Sequence, residues 1–274
     1  MNRRLLAALA FVLIFGLAGC TTLLGNDPGD PEALSADAEY NFDTESDAFI
    51  TMNRENYTAV YNVSAKVTGD EGTMELWRTN ALRIENPLEL SGLQFQFTNG
   101  TLIRYVDGEA VMVHEDGTQE PTDALVVDNT RQRTIVHLPA EEGQLGFTTP
   151  KTGKEIVIQT PVHGSYEMAL PPGRDAEIPL LSRTQPSNDD RERVDDRVHL
   201  KWDNVETSVL NVRWYLDRDI WLFGGLAGIA GLIGLVGSVY YYRKIQQARE
   251  YREEEGIDIT DEVDDDDGPP PGMR

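Results

Sequence analysis

The sequence predicts an all-β protein: an antiparallel β-sandwich (Ig-like) ectodomain, built as two small packed modules and followed by one C-terminal transmembrane helix. Three observations lead there. Short runs rich in β-branched and aromatic residues recur between residues 57 and 216, punctuated by Gly, Pro, Asn and Asp. No long amphipathic helical pattern separates them, which suits a sandwich and not an α/β fold. Residues 220–242 then form a stretch of 23 residues without a charge. As a helix that stretch reaches about 34 Å, enough to cross a hydrocarbon core.

Taken in order, residues 57–63 alternate β-branched and aromatic side chains, and residues 93–97 alternate strictly. Strands at 101–106 and 109–113 flank Asp107-Gly108, a pair that readily takes the positive φ angles of a type I′ hairpin turn. Further strands are expected at 124–127, 134–138, 155–159, 165–170, 177–181, 197–202 and 208–216. Pro171-Pro172-Gly173 and Ser187-Asn188-Asp189-Asp190 read as turns. Residues 189–196 interleave Asp and Glu with Arg and read as a self-neutralising solvent loop. The two β modules, 46–139 and 140–218, are expected to meet near residues 139–143.

The 274 residues carry 47 Asp and Glu against 24 Lys and Arg, a formal net charge of −23. A phosphate backbone requires a cationic surface, so nucleic acid is excluded as a partner. Only five of the cations are Lys. So acidic a surface repels itself in dilute buffer and is tolerated where salt screens it, the Debye length at molar salt being about 3 Å. The composition therefore points to a high-salt proteome. Four His and a single Cys leave no intramolecular disulfide and few ligands, so neither metal nor cofactor is expected.

Residues 1–19 read as a signal peptide. Arg3 and Arg4 open it, the apolar run 5–17 is too short to span a bilayer, and small residues follow. Leu17-Ala18-Gly19-Cys20 forms a lipobox, which predicts lipidation of the Cys20 thiol. Residues 20–45, rich in Gly, Asp and Pro, read as a linker. At the other end, Trp214, Tyr215 and Trp221 flank one side of the span and Tyr240, Tyr241 and Tyr242 the other, as rings do at headgroup depth. Arg243, Lys244, Arg249 and Arg252 follow the span against Glu250, whereas two Arg and two Asp balance before it. Positive-inside bias and an N-terminal signal independently place residues 243–274 in the cytoplasm and the body outside a single-pass cell membrane. Residues 245–255 read as a charged continuation of the helix. Residues 253–274, with ten acids and one Arg, read as a disordered acidic tail.

Gly224, Gly228, Gly231 and Gly234 give the span the small-residue spacing that lets two helix backbones approach, so a homodimer through this helix is a candidate assembly. Asn56-Tyr57-Thr58, Asn62-Val63-Ser64 and Asn99-Gly100-Thr101 are N-glycosylation sequons in the part expected outside. His114, His137, His163 and His199 sit in strand-like text and read as half-exposed strand histidines. His163 and Glu167 offer two ligands, fewer than a metal site needs. The sequence holds no nucleophile elbow, zinc-binding His-Glu-x-x-His or phosphate loop, so no catalytic residue is expected and the protein is read as a non-enzyme.

The Leu-Ala-Gly-Cys20 lipobox, Glu142-Gly-Gln-Leu145, Leu-Pro-Pro-Gly173, Arg197-Val-His-Leu-Lys-Trp202, Trp214-Tyr-Leu-Asp-Arg-Asp219 and the terminal Gly-Pro-Pro-Pro-Gly-Met-Arg274 span nearly the whole chain. Together they resemble an uncharacterised haloarchaeal domain-of-unknown-function family of membrane-anchored lipoproteins, the terminal motif being the most specific. The resemblance implies a halophilic archaeal envelope protein and brings no activity and no functional residue. The expectation is a cell-envelope membrane lipoprotein acting as a non-enzymatic binding or structural β-domain outside the membrane. Its expected partners are membrane lipid and a surface-layer or other membrane protein. The alternative is an accessory or sensory subunit of a membrane complex, signalling through the helix and the acidic tail.

Overall fold

The computed structural model describes residues 27–64, 66–67, 72–80, 84–114 and 116–254. The signal segment, Cys20 with its lipobox, and the tail from residue 255 lie outside the described residues. The chain divides into a body ending at Asp217 and a second unit beginning at Arg218.

In the body, β1 (Asp27–Pro28) and a one-turn helix (Pro31–Leu34) precede β2 (Ala48–Met52), β3 (Asn56–Asn62), β4 (Lys66–Val67) and β5 (Thr73–Thr79). Then come β6 (Glu85–Pro87), β7 (Ser91–Gln96), β8 (Leu102–Val106), β9 (Glu109–Val113) and β10 (Gln119–Pro121). They lead to β11 (Val126–Asn129), β12 (Thr134–His137), β13 (Gln144–Pro150), β14 (Glu155–Gln159), β15 (Val162–Ala169) and β16 (Arg174–Asp175). The last are β17 (Arg183–Gln185), β18 (Asp190–Val194), β19 (Arg197–Val205), β20 (Val209–Arg213) and β21 (Tyr215–Leu216).

An eleven-stranded sheet runs β10-β9-β8-β7-β13-β3-β2-β15-β19-β18, with β4 beside β15. A five-stranded sheet runs β1-β11-β12-β5-β6, a three-stranded sheet β14-β20-β17, and β16 pairs with β21. The stretches 46–139 and 140–218 share the large sheet, because β13 lies between β7 and β3. One pairing departs from the antiparallel expectation: β15 runs parallel to β2, with Glu167 opposite Phe49. Parallel neighbours need a long crossover, and more than a hundred residues of chain separate these two strands.

Burial alternates as a half-covered strand requires. In β2, Ala48, Ile50 and Met52 are buried while Phe49 and Thr51 are half-buried. One buried cluster joins Met74, Leu76 and Val136 of the five-stranded sheet, Phe95, Ile103, Phe147 and Trp202 of the large sheet, and Ile158 and Leu210 of the three-stranded sheet. That shared core makes the body a β-sandwich. The Trp202 indole N–H, which would otherwise be stranded in the core, donates to the Pro186 carbonyl at 3.1 Å. The β8–β9 hairpin turns as its sequence requires, with φ of 52° at Asp107 and 88° at Gly108.

Several segments differ from expectation. Residues 177–181 form a tight turn, not a strand: the Ile178 carbonyl accepts from the amides of Leu181 and Ser182 at 2.9 and 2.8 Å and from Ser182 Oγ at 2.8 Å. Pro179 has no amide to give a ladder. Residues 189–196 contain β18, an edge strand paired with β19, because its arginines find a buried carboxylate described below. Strands β2, β5 and β13 were not among the expected ones.

The stretch read as a linker is docked from Asp27 onward. β1 pairs with β11, and Leu34 is 3 % exposed within the core. The chain then crosses the large sheet, where Tyr40 Oη donates to the Gly92 carbonyl at 2.8 Å and lies 3.0 Å from Thr148 Oγ1. Gln94 Nε2 donates to the Ala38 carbonyl at 2.7 Å. Residue 146 must be Gly for this contact, since a Cβ there would lie 2.7 Å from Tyr40 Cδ2. Burial pushes the Tyr40 phenol up to about 12, with the Thr148 hydrogen bond acting the other way.

Candidate functional site

The helix Asp217–Glu254 is unbroken and is long and apolar enough to cross a membrane, with none of its apolar window buried. Trp221 is 84 % exposed, Val236 69 % and Leu232 64 %. A contiguous bare surface of such side chains marks contact with lipid or another chain. The helix also continues past the charge-free stretch to Glu254, as expected. Gly224, Gly228, Gly231 and Gly234 all lie on exposed helix, where an added Cβ would meet nothing within 4 Å.

The three sequons lie in different surroundings. Asn56 opens β3, is half-buried, and accepts from Asn53 Nδ2 at 3.0 Å. Asn62 closes the same strand, is half-buried, and accepts from the Ser64 amide at 3.0 Å. Asn99 sits in the exposed turn between β7 and β8, its carbonyl oxygen accepting from the Thr101 amide at 3.0 Å.

The histidines are spread over the body and are used locally. His199 Nδ1 lies 2.6 Å from Glu167 Oε1, and Ser46 Oγ lies 3.5 Å from the other oxygen of that carboxylate. Beside them, Asp47 Oδ2 accepts from the Ser165 amide at 2.8 Å and from Ser165 Oγ at 3.0 Å. These bonds join the chain entering β2 to β15. His137 Nε2 lies 3.1 Å from Asp128 Oδ2 in the five-stranded sheet, and His163 pairs in backbone register with residue 66 of β4. Glu167, paired with His199, is not brought to His163. Among the described residues no three His, Cys, Asp or Glu side chains gather as a metal would need.

A charged cluster not evident in the sequence holds the end of the body from which the helix leaves. Asp175 is 6 % exposed. It accepts from Arg191 Nε at 3.0 Å, from Arg191 Nη2, and from Arg193 Nη2 at 3.3 Å. The Asp175 carboxylate holds the Arg191 guanidinium above its ordinary pKa. Nearby, Trp214 is 3 % exposed, and its amide donates to the Lys154 carbonyl at 3.0 Å. Lys151 Nζ stands 5.0 Å from the centre of the Trp214 ring. Burial first, and then the neighbouring Arg174, lower the Lys151 pKa. No sequence motif marks Asp175; its partners lie 16 and 18 residues away.

The geometry defines a class of protein: a β-sandwich body joined directly to one helix long and apolar enough to span a membrane. The chain belongs to a family of unknown function, DUF5803, which matches residues 44–260. That match runs from just before β2 through the whole helix, so the body from β2 onward and the helix both fall within what the family shares, while β1, the one-turn helix and Tyr40 precede it. No curated protein and no solved structure matches the chain.

Proposed function

We propose that the chain is a halophilic cell-envelope lipoprotein whose β-sandwich acts outside the membrane as a non-enzymatic binding or structural domain. The observation that carries this is the joining of a body built around one shared buried core to the one bare apolar helix among the described residues. The cations after the span, Arg243, Lys244, Arg249 and Arg252, support a cytoplasmic tail. Asp27 follows Cys20 by seven positions, a reach of at most about 25 Å. A lipid on Cys20 would therefore hold β1 near the membrane while the helix holds β21 there. The partner is a protein of the same surface, such as a surface-layer coat, and not a diffusing ligand. Asn99 is the sequon best presented for a glycan.

Protease added to intact cells is expected to remove the sandwich and spare a tag on the C-terminus; loss of the tag with survival of the sandwich would refute the orientation. Cross-linking mass spectrometry on the same cells reports the partner. A second reading, an accessory or sensory subunit, is favoured by the unbroken helix, which continues from the body's last strand beyond the charge-free stretch to Glu254. Recovery with a transporter or kinase in place of coat protein would select it.

A further inference from the structure

We propose that the end of the body from which the helix leaves is a lipid-docking face, with Leu180 inserted at the headgroup–acyl boundary and a collar of cations on anionic headgroups. This rests on the helix being a membrane span. Location comes first. Arg174 and Asp175 pair with Leu216 and Tyr215, and the Asp217 amide donates to the Gly173 carbonyl at 3.3 Å. The 178–182 turn begins three residues after Asp175, so chain continuity puts it beside the last residues of the body. Trp221 follows Asp217 by four residues, about 6 Å of helix, so chain continuity alone keeps this turn near the membrane surface.

The turn itself has an apolar tip. Leu180 is 70 % exposed, the most of any large apolar side chain in the described body, and Pro179 beside it is also exposed. It has no slack with which to withdraw, because the Ile178 carbonyl accepts three hydrogen bonds and Ser182 is 5 % exposed. Asp175, two residues before the turn's acidic neighbour Glu177, is clamped by Arg191 and Arg193.

Charge is the second, independent observation. In a chain of net charge −23, Lys151, Arg174, Arg183 and Arg213 gather around Trp214 and Tyr215, among Glu155, Glu177 and Asp217. Arg183 stands directly opposite Arg213, with Glu155 on the other side of Arg213. Like charges directly opposite on paired strands repel, and an anionic surface relieves that repulsion. Apolar insertion combined with attraction to acidic headgroups is how interfacial elements hold a membrane.

The test uses the full chain with Cys20→Ser, reconstituted in vesicles of equal parts phosphatidylglycerol and phosphatidylcholine. Single cysteines at Leu180, Ser208 or Leu232 carry an environment-sensitive fluorophore, and brominated acyl chains act as quencher. Ser208 lies in the turn before β20, at the opposite end of that strand from Arg213, about 17 Å along the sheet. Quenching is expected at Leu180 and Leu232 and not at Ser208. It should fall at least about two-fold at Leu180 in phosphatidylcholine alone. Quenching at Leu232 with none at Leu180 overturns the docking face and leaves the span standing. Quenching at neither removes the span and the face together. Equal quenching at Leu180 in both vesicles overturns the collar.

Discussion

Asp175 has a buried carboxylate facing two arginines whose side chains are 30 and 45 % exposed. Asp175→Asn keeps the shape but leaves both guanidinium groups against a neutral amide. The half-exposed partners remain partly solvated, so the loss is expected at about 2 kcal/mol, below that of a fully buried pair. A urea melt should show a lower midpoint with an unchanged slope. Tyrosines set the alkaline limit. Burial raises Tyr40 from 10.0 to about 12 and also raises Tyr57, Tyr61 and Tyr166. The folded body thus favours the neutral phenols, and their stabilisation is complete below the ordinary tyrosine value. As pH climbs, the unfolded chain ionises first and stability falls, for Tyr40 between pH 10 and about 12. Cooperative unfolding in that window is expected, with tyrosinate absorbance and circular dichroism changing together. Ionisation of all these phenols near pH 10 without unfolding would contradict it. None of this was legible in the sequence, because burial of a particular Tyr depends on partners far along the chain.

At the scale of elements, legibility followed locality. The Asp107-Gly108 hairpin could be read because both central residues of a type I′ turn carry their own backbone preference. The β18 edge could not, since alternating charges look solvated until Asp175 is placed beside them. The 27–43 segment was hidden for the opposite reason: its Gly, Asp and Pro content resembles a free linker, and only Gly146 and Gly92 on the large sheet show where Tyr40 fits. Two substitutions test this docking. Leu34→Ala removes a core side chain and is expected to cost about 2 to 4 kcal/mol. Gly146→Ala drives a methyl group against the Tyr40 ring and is expected to cost about 1 to 3 kcal/mol. In both variants, hydrogen exchange in residues 27–43 should quicken before that of β3 and β13. Exchange unchanged in that segment would mean it contributes nothing to the body. Within the helix, Gly224, Gly228 and Gly231 fall within about 60° of one another around the axis. Gly228→Leu should therefore abolish self-association in a membrane reporter assay. A signal unaffected by that change would exclude this face.

For the whole molecule, the span was plain from the sequence because length and missing charge are local properties, whereas one core shared by three sheets is not. The acidic surplus acts at this largest scale. A net charge of −23 repels itself through a field that reaches about 30 Å at 0.01 M salt and about 3 Å at 1 M. Folding concentrates those charges, so repulsion opposes the compact body more than the extended chain. Raising potassium chloride across that range in detergent-solubilised protein should raise the thermal midpoint, by about 2 to 4 °C for each kcal/mol of repulsion removed from a domain this size. Sucrose strengthens burial without screening charge, so at equal osmolality it should do markedly less in the sub-molar range. The cations around Trp214 sharpen the comparison, because Arg183→Glu, at an exposed position, adds to the surplus and should steepen the salt dependence while leaving the molar-salt midpoint almost unchanged. A midpoint that stays flat with potassium chloride, or that sucrose raises equally, would show that the carboxylates are already balanced within the fold and that high salt is not what this surface is built for.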